Sequence, residues 1–243
     1  MNSKTLEKAI EESSFSMHKN YITSLIQPSV DIVKVTSKIN IASSKLGGIP
    51  DVPSNFKWPT HPYGDYRFVA QFNLKEISQP FPHLPQQGLL SIFIADDEDG
   101  NFFWGDDGYA KVYFFESENE LQPLTNPNFS DQPCIPVKLE ASIDIPFREE
   151  LLENNPLNNE QIEELVYEVI EKTDKKYNHL LGYPFYSSLA YDPRPDNNWT
   201  SLLTLSSIDE LDWCWHDGDF LMLFIEKDKL IQQDFSNIKS DAG

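Results

Sequence analysis

The hydrophobic pattern of the chain begins with a helical period. Apolar residues recur three or four positions apart within residues 4–26, at Leu6, Ile10, Met17, Tyr21 and Leu25. This spacing places them on one face of a helix, and Pro28 ends the pattern. We therefore expect one amphipathic helix at the start of the chain, packed against the rest of the protein.

The pattern then changes to the two-residue alternation and short apolar runs that are typical of β-strands. Strands are predicted at residues 68–74, 89–95, 110–115, 137–141 and 220–225. Residues 30–41 contain two short alternations, which predict strands or extended chain. Gln71 lies in the middle of an otherwise apolar strand. We expect its side-chain amide to form a cross-strand or loop hydrogen bond, because a buried amide needs partners.

A second helical pattern extends from residue 159 to about residue 177. Its apolar stripe consists of Ile162, Leu165, Val166, Val169 and Ile170. Asn158 or Asn159 can cap the first turn, since an asparagine side chain accepts a hydrogen bond from the free N–H groups there. The opposite face is mostly glutamate, which is typical of a solvated helix face.

The second half of the chain repeats the turns and strands of the first half in the same order. Gly-Gly-Ile-Pro at residues 47–50 is matched by Leu-Gly-Tyr-Pro at 181–184, and the strand at 68–74 is matched by residues 199–205. Residues 88–94 are matched by the acidic turn and apolar strand at 217–225. Such matching at similar spacing predicts an internal duplication.

These elements predict a single α+β domain spanning residues 1–243, built mainly from antiparallel β-structure. The first repeat covers about 46–95, a helical insertion covers about 146–177, and the second repeat covers about 181–226. An N-terminal helix precedes both repeats. The pattern leaves open whether the repeats form one continuous sheet or two.

The same motifs resemble the YwqG-like family, a bacterial domain of unknown function. The residues that carry the resemblance are 46–50, 58–59, 68–74, 84–93, 181–184 and 215–219. One departure is His216, which stands where the family usually has glycine between a tryptophan and an aspartate. The resemblance implies a soluble bacterial α+β protein and brings no established activity, so it supplies no catalytic residue.

The charge of the chain excludes some partners. Thirty-nine acidic residues against 19 basic ones give a formal net charge of −20, which repels nucleic acids and anionic membranes. Neither a secretory signal nor an apolar run of bilayer-spanning length is visible in the sequence. The two cysteines, Cys134 and Cys214, form no Cys-x-x-Cys pair. We therefore expect two free, buried thiols and a cytoplasmic protein.

The sequence contains no legible catalytic set. Its five histidines are His18, His61, His83, His179 and His216, and no nucleophile motif accompanies them. His216 and Asp217 are adjacent in sequence and do not pair in extended chain, because neighbouring side chains point to opposite faces. We expect no cofactor, and the sequence leaves open whether the protein is an enzyme.

Metal binding is weakly indicated. Cys214 and His216 would supply two zinc ligands, but a structural zinc site needs four. Acidic residues crowd two neighbouring turns at Asp96, Asp97, Glu98, Asp99, Asp106 and Asp107. Calcium prefers such oxygen ligands, but the EF-hand register fails because Ala95 would occupy the first ligand position. A solvated acidic turn is the simpler interpretation, and the metal question stays open.

Two stretches carry most of the negative charge. Residues 96–120 contain nine acidic residues and one basic residue, and residues 195–226 contain seven acidic residues and no basic one. The candidate binding residues are Asp96, Asp97, Asp99, Asp106, Asp107, Asp212, Asp217 and Asp219. Trp104, Trp213 and Trp215 are candidate aromatic anchors, although core packing is the favoured interpretation for each ring taken singly.

The leading hypothesis is an acidic protein-interaction module that binds a basic protein without catalysis. One concrete form of it is an immunity or antitoxin-like protein. The alternative hypothesis is a protein that binds a small molecule or a divalent cation through its acidic turns. The sequence does not predict an oligomeric state.

Overall fold

The computed structural model describes residues 1–97, 99–146, 148–152 and 155–243, and only the backbone of Asn159. The N-terminal segment is helical but broken. Helix α1 (Ser3–Glu11) is followed by a 3₁₀ turn (Ser14–His18) and by α2 (Lys19–Ser24). The prediction of one continuous helix is therefore wrong. The break occurs because the Ser13 hydroxyl donates to Ile10 O and accepts from Phe15 N, which ends one helical segment and caps the next.

Most of the remaining chain forms strands. They are β1 (Gln27–Lys34), β2 (Lys45–Gly47), β3 (Asp51–Pro53), β4 (Thr60–His61), β5 (Gly64–Asn73), β6 (Leu89–Ala95), β7 (Ala110–Phe115), β8 (Leu121–Pro123), β9 (Cys134–Asp144), β10 (His179–Leu181), β11 (Trp199–Ser206), β12 (Phe220–Glu226) and β13 (Ile238–Ala242). The prediction of mixed helix and strand with mainly antiparallel β-structure is confirmed.

The strands form one large sheet and one small one. The large sheet has 11 strands in the order β13-β12-β11-β10-β1-β9-β2-β5-β6-β7, with β4 paired to β5, and β3 pairs with β8 separately. All of these pairs are antiparallel. Strands β1 and β9 join the two halves, so a single sheet contains both sets of matched strands.

The large sheet curls until its end strands, β7 and β13, approach one another, and the result is nearly a barrel. Alternate side chains of each strand point inward and form the main core, which includes Val30, Leu46, Phe72, Ile92 and Leu223. A second core lies between the N-terminal helices and the helical segment after β9. This curvature brings loops that are distant in sequence to one end of the sheet.

The helical segment after β9 is shorter than predicted. Helix α3 (Asn159–Leu165) continues into a π-helical turn (Val166–Ile170), and α4 (Lys227–Ile231) follows β12. Asn158 caps α3 in a reciprocal arrangement with Gln161, so the capping prediction is confirmed for Asn158. No helix among the described residues has both the length and the apolarity to cross a membrane.

Three local predictions concern residues 39–41, the thiols and Gln71. Residues 39–41 are not a strand, because Asn40 and Ser43 form a turn in which the Asn40 N–H donates to Ser43 Oγ. Cys214 is exposed and Cys134 half-buried, although both thiols are free. The Gln71 amide does bond to a loop, donating to Ser43 O (2.9 Å) and to Asp51 Oδ2 (2.6 Å).

Candidate functional site

The first acidic stretch forms a structured loop between β6 and β7. Asn101 N donates to Asp97 Oδ2 at 2.6 Å, and Phe103 N donates to Asp106 Oδ2 at 2.8 Å. Asp97 also accepts from Asp99 N through Oδ1, so it stabilises its turn through both oxygens, whereas Asp106 uses one. Asp96, Asp99, Asp106 and Asp107 are exposed and Asp97 is half-buried. Glu98 lies outside the described residues.

The base of this loop is tied to the sheet. Ala95 N donates to Tyr109 O at 2.7 Å, and the Tyr66 hydroxyl donates to Gly108 O. Burial, together with the nearby Asp96 carboxylate, raises the pKa of Tyr109 to about 12. Tyr109 therefore stays uncharged at neutral pH, and the charge of the loop comes from its carboxylates.

The second acidic stretch contributes a tight turn before β12. Gly218 N and Asp219 N both donate to Trp215 O, at 2.9 and 2.7 Å. His216 and Asp217 have positive φ angles of 36° and 60°, which an aspartate tolerates better than most residues. Asp217 is exposed at the tip of this turn.

The curvature of the sheet brings the loop and the turn together. The rings of Trp104 and His216 pack edge to face with centroids 5.9 Å apart. The Ser240 hydroxyl of β13 donates to Trp104 O at 2.5 Å, and Lys239 forms an ion pair with Asp107. We call the surface formed by Asp96, Asp97, Asp99, Asp106, Asp107 and Asp217 the acidic end.

Two further predicted carboxylates, Asp219 and Asp212, differ in exposure. Asp219 is 8% exposed and accepts a hydrogen bond from Ser187 Oγ at 2.6 Å, so it faces the protein rather than a partner. Asp212 is exposed with a φ of 55°. Its neighbour Leu211 accepts a hydrogen bond from Arg67 of β5 at 3.1 Å, which links Asp212 to the same end of the sheet.

The predicted aromatic anchors also differ in exposure. Trp213 and Trp215 are 3% and 7% exposed, and they pack in the main core with ring centroids 5.5 Å apart. Neither ring is available to a partner in this conformation. Trp104 is half-buried, whereas its neighbour Phe103 is 54% exposed.

A cleft beside the acidic loop contains residues that the sequence patterns did not single out. It has a volume of about 470 Å³ and is lined by Tyr63, Asp65, Asp96, Asp97 and Asp99, among others. Tyr63 is 57% exposed, and Asp65 accepts hydrogen bonds from two asparagine side chains. The sequence signal that could have pointed to this cleft is the Tyr-Gly-Asp turn at residues 63–65, which joins β4 to β5 and carries a carboxylate.

The site does not have the geometry expected for metal binding or acid–base catalysis. No three His, Cys, Asp or Glu side chains converge as a metal-binding group in the part of the chain that the structure describes. The Ser188 hydroxyl lies 3.1 Å from His216 Nδ1. Among the described residues no carboxylate bonds to the other nitrogen of that ring, so the pair lacks the orienting group of a catalytic triad.

Comparison with known proteins gives a family without an assigned activity. A family model described as a domain of unknown function, DUF1963, matches residues 44–241. No curated protein matches the chain. The matched region contains the acidic end, the cleft and all strands from β5 to β12, whereas α1, α2 and β1 precede it.

Proposed function

Since the chain belongs to the family described as a domain of unknown function, DUF1963, we propose its function from the site: it is an acidic protein-interaction module that binds a basic protein without catalysis. The observation that carries this proposal is the contact between Trp104 and His216. That contact joins two acidic stretches that are more than 100 residues apart in sequence. Charge that is spread along the sequence is thereby concentrated at one end of the molecule.

The acidic end has the charge of a steering surface. Asp96, Asp99 and Asp217 are exposed and form no ion pair with any described residue. Their field adds to a formal net charge of −20. Concentrated like charge attracts an oppositely charged protein over a Debye length of about 8–10 Å and accelerates association.

Exposed aromatic rings beside the carboxylates support recognition of lysine or arginine. Phe103, which lies within the acidic loop, and Tyr63, which lines the cleft beside it, are each more than half exposed. A cationic side chain can rest on an aromatic face while a carboxylate pairs with its charge. One concrete form of the function is an immunity or antitoxin-like protein that masks a basic toxin by charge complementarity and steric block.

The experiment begins with capture of basic proteins from a lysate of the source organism, eluted along a salt gradient and identified by mass spectrometry. The affinity of the purified partner is then measured for the wild type and for the triple variant Asp96→Asn, Asp99→Asn, Asp217→Asn. We expect this variant to bind about tenfold more weakly, mainly through slower association.

A matched control separates local charge from net charge. Glu160, Glu163 and Glu164 are exposed on α3, and their change to glutamine removes the same three charges elsewhere. We expect that control to bind within about twofold of the wild type, since charges beyond a Debye length are screened. Equal weakening by both triple variants would contradict a localised site, and retention of no basic protein at low salt would contradict the function itself.

The charge of the cleft supports a second candidate function, the loose electrostatic binding of a small cation, even though its carboxylates do not converge as a metal-binding group among the described residues. Its lining combines the Tyr63 ring with four carboxylates, from Asp65, Asp96, Asp97 and Asp99. A thermal-shift series with Ca²⁺, Mg²⁺, Mn²⁺ and spermidine tests it, because a ligand that binds the folded state raises the melting temperature. A shift that is abolished by Asp65→Asn would support this candidate, and unchanged melting with all four cations would exclude it.

We also propose that the domain of residues 1–243 arose by internal duplication, with repeats at about 46–95 and 181–226. Corresponding irregularities support this. The pairing of β5 with β6 shifts between Phe68 and Ala70, and the pairing of β11 with β12 shifts between Ser201 and Leu203. β-Bulges are structural features that related folds keep, so a bulge in each of the two matched strand pairs supports a common origin.

The remaining proposals concern the insertion, the family and the location. The helical segment at about 146–177 is proposed as an insertion between the repeats, supported by its position after β9 and before β10. The YwqG-like resemblance is kept as a proposal for the finer family. A bacterial cytoplasmic location is proposed as well, and the free thiol of exposed Cys214 supports a reducing compartment.

A further inference from the structure

A second cleft shares no lining residue with the acidic end or with the cleft beside Tyr63. It lies between α3 and its π-helical turn on one side and residues 148–150 and 185–187 on the other. Its volume is about 400 Å³, which is within the range of small-molecule sites in proteins. We call it the helix cleft.

The floor of the helix cleft is apolar and aromatic. Of its lining residues, Ile162 and Tyr186 are buried, and Val166 and Phe185 are half-buried. The Phe185 ring packs against the ring of Tyr177, with centroids 4.3 Å apart. Because neighbouring side chains already hold this surface in place, a ligand that covers it loses little free energy to ordering.

Carboxylates surround the mouth of the helix cleft. Four of its lining residues are exposed acids, namely Glu149, Glu150, Glu163 and Glu171. Arg148 is the only base among the described residues that line the cleft, and its charge is already used. Its Nε forms an ion pair with Glu150 at 3.5 Å, and its Nη2 donates to Leu189 O at 2.6 Å. The other three carboxylates form no ion pair with any described residue.

The π-helical turn places one of these carboxylates over the apolar floor. The hydrogen bond that closes the turn runs from Glu171 N to Val166 O at 2.9 Å. In an α-helix the N–H group donates to the fourth residue before it, whereas in a π-turn it donates to the fifth. Glu171 therefore lies one turn above Val166, a position that buried Ile170 would take in a regular α-helix.

A buried carboxylate behind the wall of the helix cleft has no counter-charge. Asp219 is 8% exposed, and its Oδ2 accepts from the hydroxyl of the lining residue Ser187 at 2.6 Å. Its Oδ1 has no hydrogen-bond partner among the described residues, and none of them forms an ion pair with it. A buried charge without an opposite charge costs free energy. A cation bound beside Ser187 would offset part of this cost.

We propose that the helix cleft binds a small organic cation, an amine or guanidine group carried on an apolar body. The floor receives the apolar body, and the carboxylates at the mouth pair with the charged group. A metal ion fits less well, because no three acidic, histidine or cysteine side chains converge among the described residues. This inference goes beyond the proposed function and does not depend on it, since the acidic end contributes no residue to the cleft.

The probe for the first test is 2-phenylethylamine, titrated against the full chain at low salt and followed by ligand-observed saturation-transfer NMR. We expect a dissociation constant of about 1 mM, which is ordinary for a ligand of so few atoms. Three analogues each change one feature: 2-phenylethanol lacks the charge, 3-phenylpropanoate reverses it, and ethylamine lacks the ring. Each should bind at least about fivefold more weakly.

Matched double variants test whether the amine binds in the helix cleft. Glu163→Gln with Glu171→Gln removes two carboxylates at its mouth, whereas Glu160→Gln with Glu164→Gln removes two exposed carboxylates of α3 that do not line it. We expect about five- to tenfold weaker amine binding for the first pair and less than about twofold for the second. All four side chains are exposed, so both variants should fold, as checked by circular dichroism.

A further probe distinguishes a free amine from a lysine side chain of a protein. A capped Gly-Lys-Gly peptide presents the same charged group on an alkyl stem. We expect 2-phenylethylamine to bind more tightly, because its ring covers more of the apolar floor than the lysine stem does. Tighter binding of the peptide would overturn the assignment to a free small molecule.

Several other results would contradict the inference. One is the absence of saturable binding at about 10 mM amine, and another is equal binding of 2-phenylethanol. Equal weakening by both double variants would show that binding follows net charge rather than the cleft. Loss of amine binding in Asp65→Asn would move the amine to the cleft beside Tyr63. None of these results bears on the proposed function, which is tested by binding of the basic partner.

Discussion

The most quantitative prediction concerns His179, the buried first residue of β10. The side chain is 1% exposed, and neither ring nitrogen has a hydrogen-bond partner within the described chain. Asp144 Oδ2 lies 3.5 Å from Nε2 without hydrogen-bond geometry, and Lys175 forms an ion pair with the same carboxyl group. Burial lowers the pKa of His179 from 6.5 to about 4, although the Asp144 charge opposes this effect.

The sign of the pH dependence follows from this depressed pKa. Between pH 6.5 and pH 4 the unfolded chain binds a proton at His179 that the folded chain does not bind. The free energy of unfolding therefore falls as the pH falls through this window, and the full value is present above pH 6.5. A pKa difference of about 2.5, at about 1.4 kcal/mol per pH unit, amounts to about 3 kcal/mol, of which about 2.5 kcal/mol is lost by pH 4.5.

The perturbation is His179→Leu, which removes the titrating ring and keeps an apolar side chain of similar size. Unfolding in urea is followed by tryptophan fluorescence at pH 7.5, 6.5, 5.5 and 4.5. We expect the variant to be at least as stable as the wild type at pH 7.5, because no hydrogen bond of the ring is lost. Its additional loss of stability by pH 4.5 should be about 2.5 kcal/mol smaller than that of the wild type.

The comparison between variant and wild type is needed because other groups titrate nearby. Burial raises the pKa of Asp31, so this carboxyl group favours the folded state as the pH falls and partly hides the effect of His179. His18→Gln, at a half-exposed histidine in the N-terminal segment, is measured in parallel as the removal of a histidine that is not buried. Equal slopes for His179→Leu and the wild type would refute the argument from burial.

Three further predictions concern stability and are measured by urea unfolding at neutral pH. Lys45→Met should cost about 3–5 kcal/mol, because it leaves the carboxylate of Asp51, 3% exposed and 2.9 Å from Lys45 Nζ, without its counter-charge; a cost below 1 kcal/mol would contradict this. Gly182→Ala should cost about 2 kcal/mol or more, since its φ is 70° and a Cβ would lie 2.8 Å from a buried carboxylate oxygen. Gly105→Ala, with open space around its Cα, is the control and should change stability by less than about 0.5 kcal/mol. Asn158→Ala should lower the free energy of unfolding by about 1 kcal/mol, because the hydrogen bond that caps α3 is lost. Unchanged stability would contradict a contribution of this cap.

Local patterns in the sequence were reliable where burial and periodicity agree. The strand predicted at residues 89–95 has the same bounds in the structure, because every residue in it is buried and strand spacing suits a short apolar run. The N-terminal prediction failed at Ser13, where hydrogen bonds of one hydroxyl outweigh the apolar periodicity on both sides. No strand forms at residues 39–41 for a similar reason, since the turn at Asn40 outweighs a short apolar alternation.

The candidate site was only partly predictable. The acidic composition of its two stretches is visible in the sequence, but the burial of Asp219, Trp213 and Trp215 is not. Tyr63 and Asp65 were missed because a single Tyr-Gly-Asp turn carries little signal until the cleft around it is known. An isolated charge or ring has the same sequence signature whether it faces solvent or the core.

The sequence by itself determined the mainly antiparallel α+β character, the positions of most strands and the strongly acidic charge, because these depend on side-chain periodicity and composition. The tertiary structure alone decided that β1 and β9 join all matched strands into one sheet, and that its curvature brings Trp104 against His216. It also decided that the end strands β7 and β13 lie close together, without backbone pairing among the described residues. Strand order and curvature arise from pairing between distant segments, and the local pattern of hydrophobic residues carries no information about which strands become neighbours.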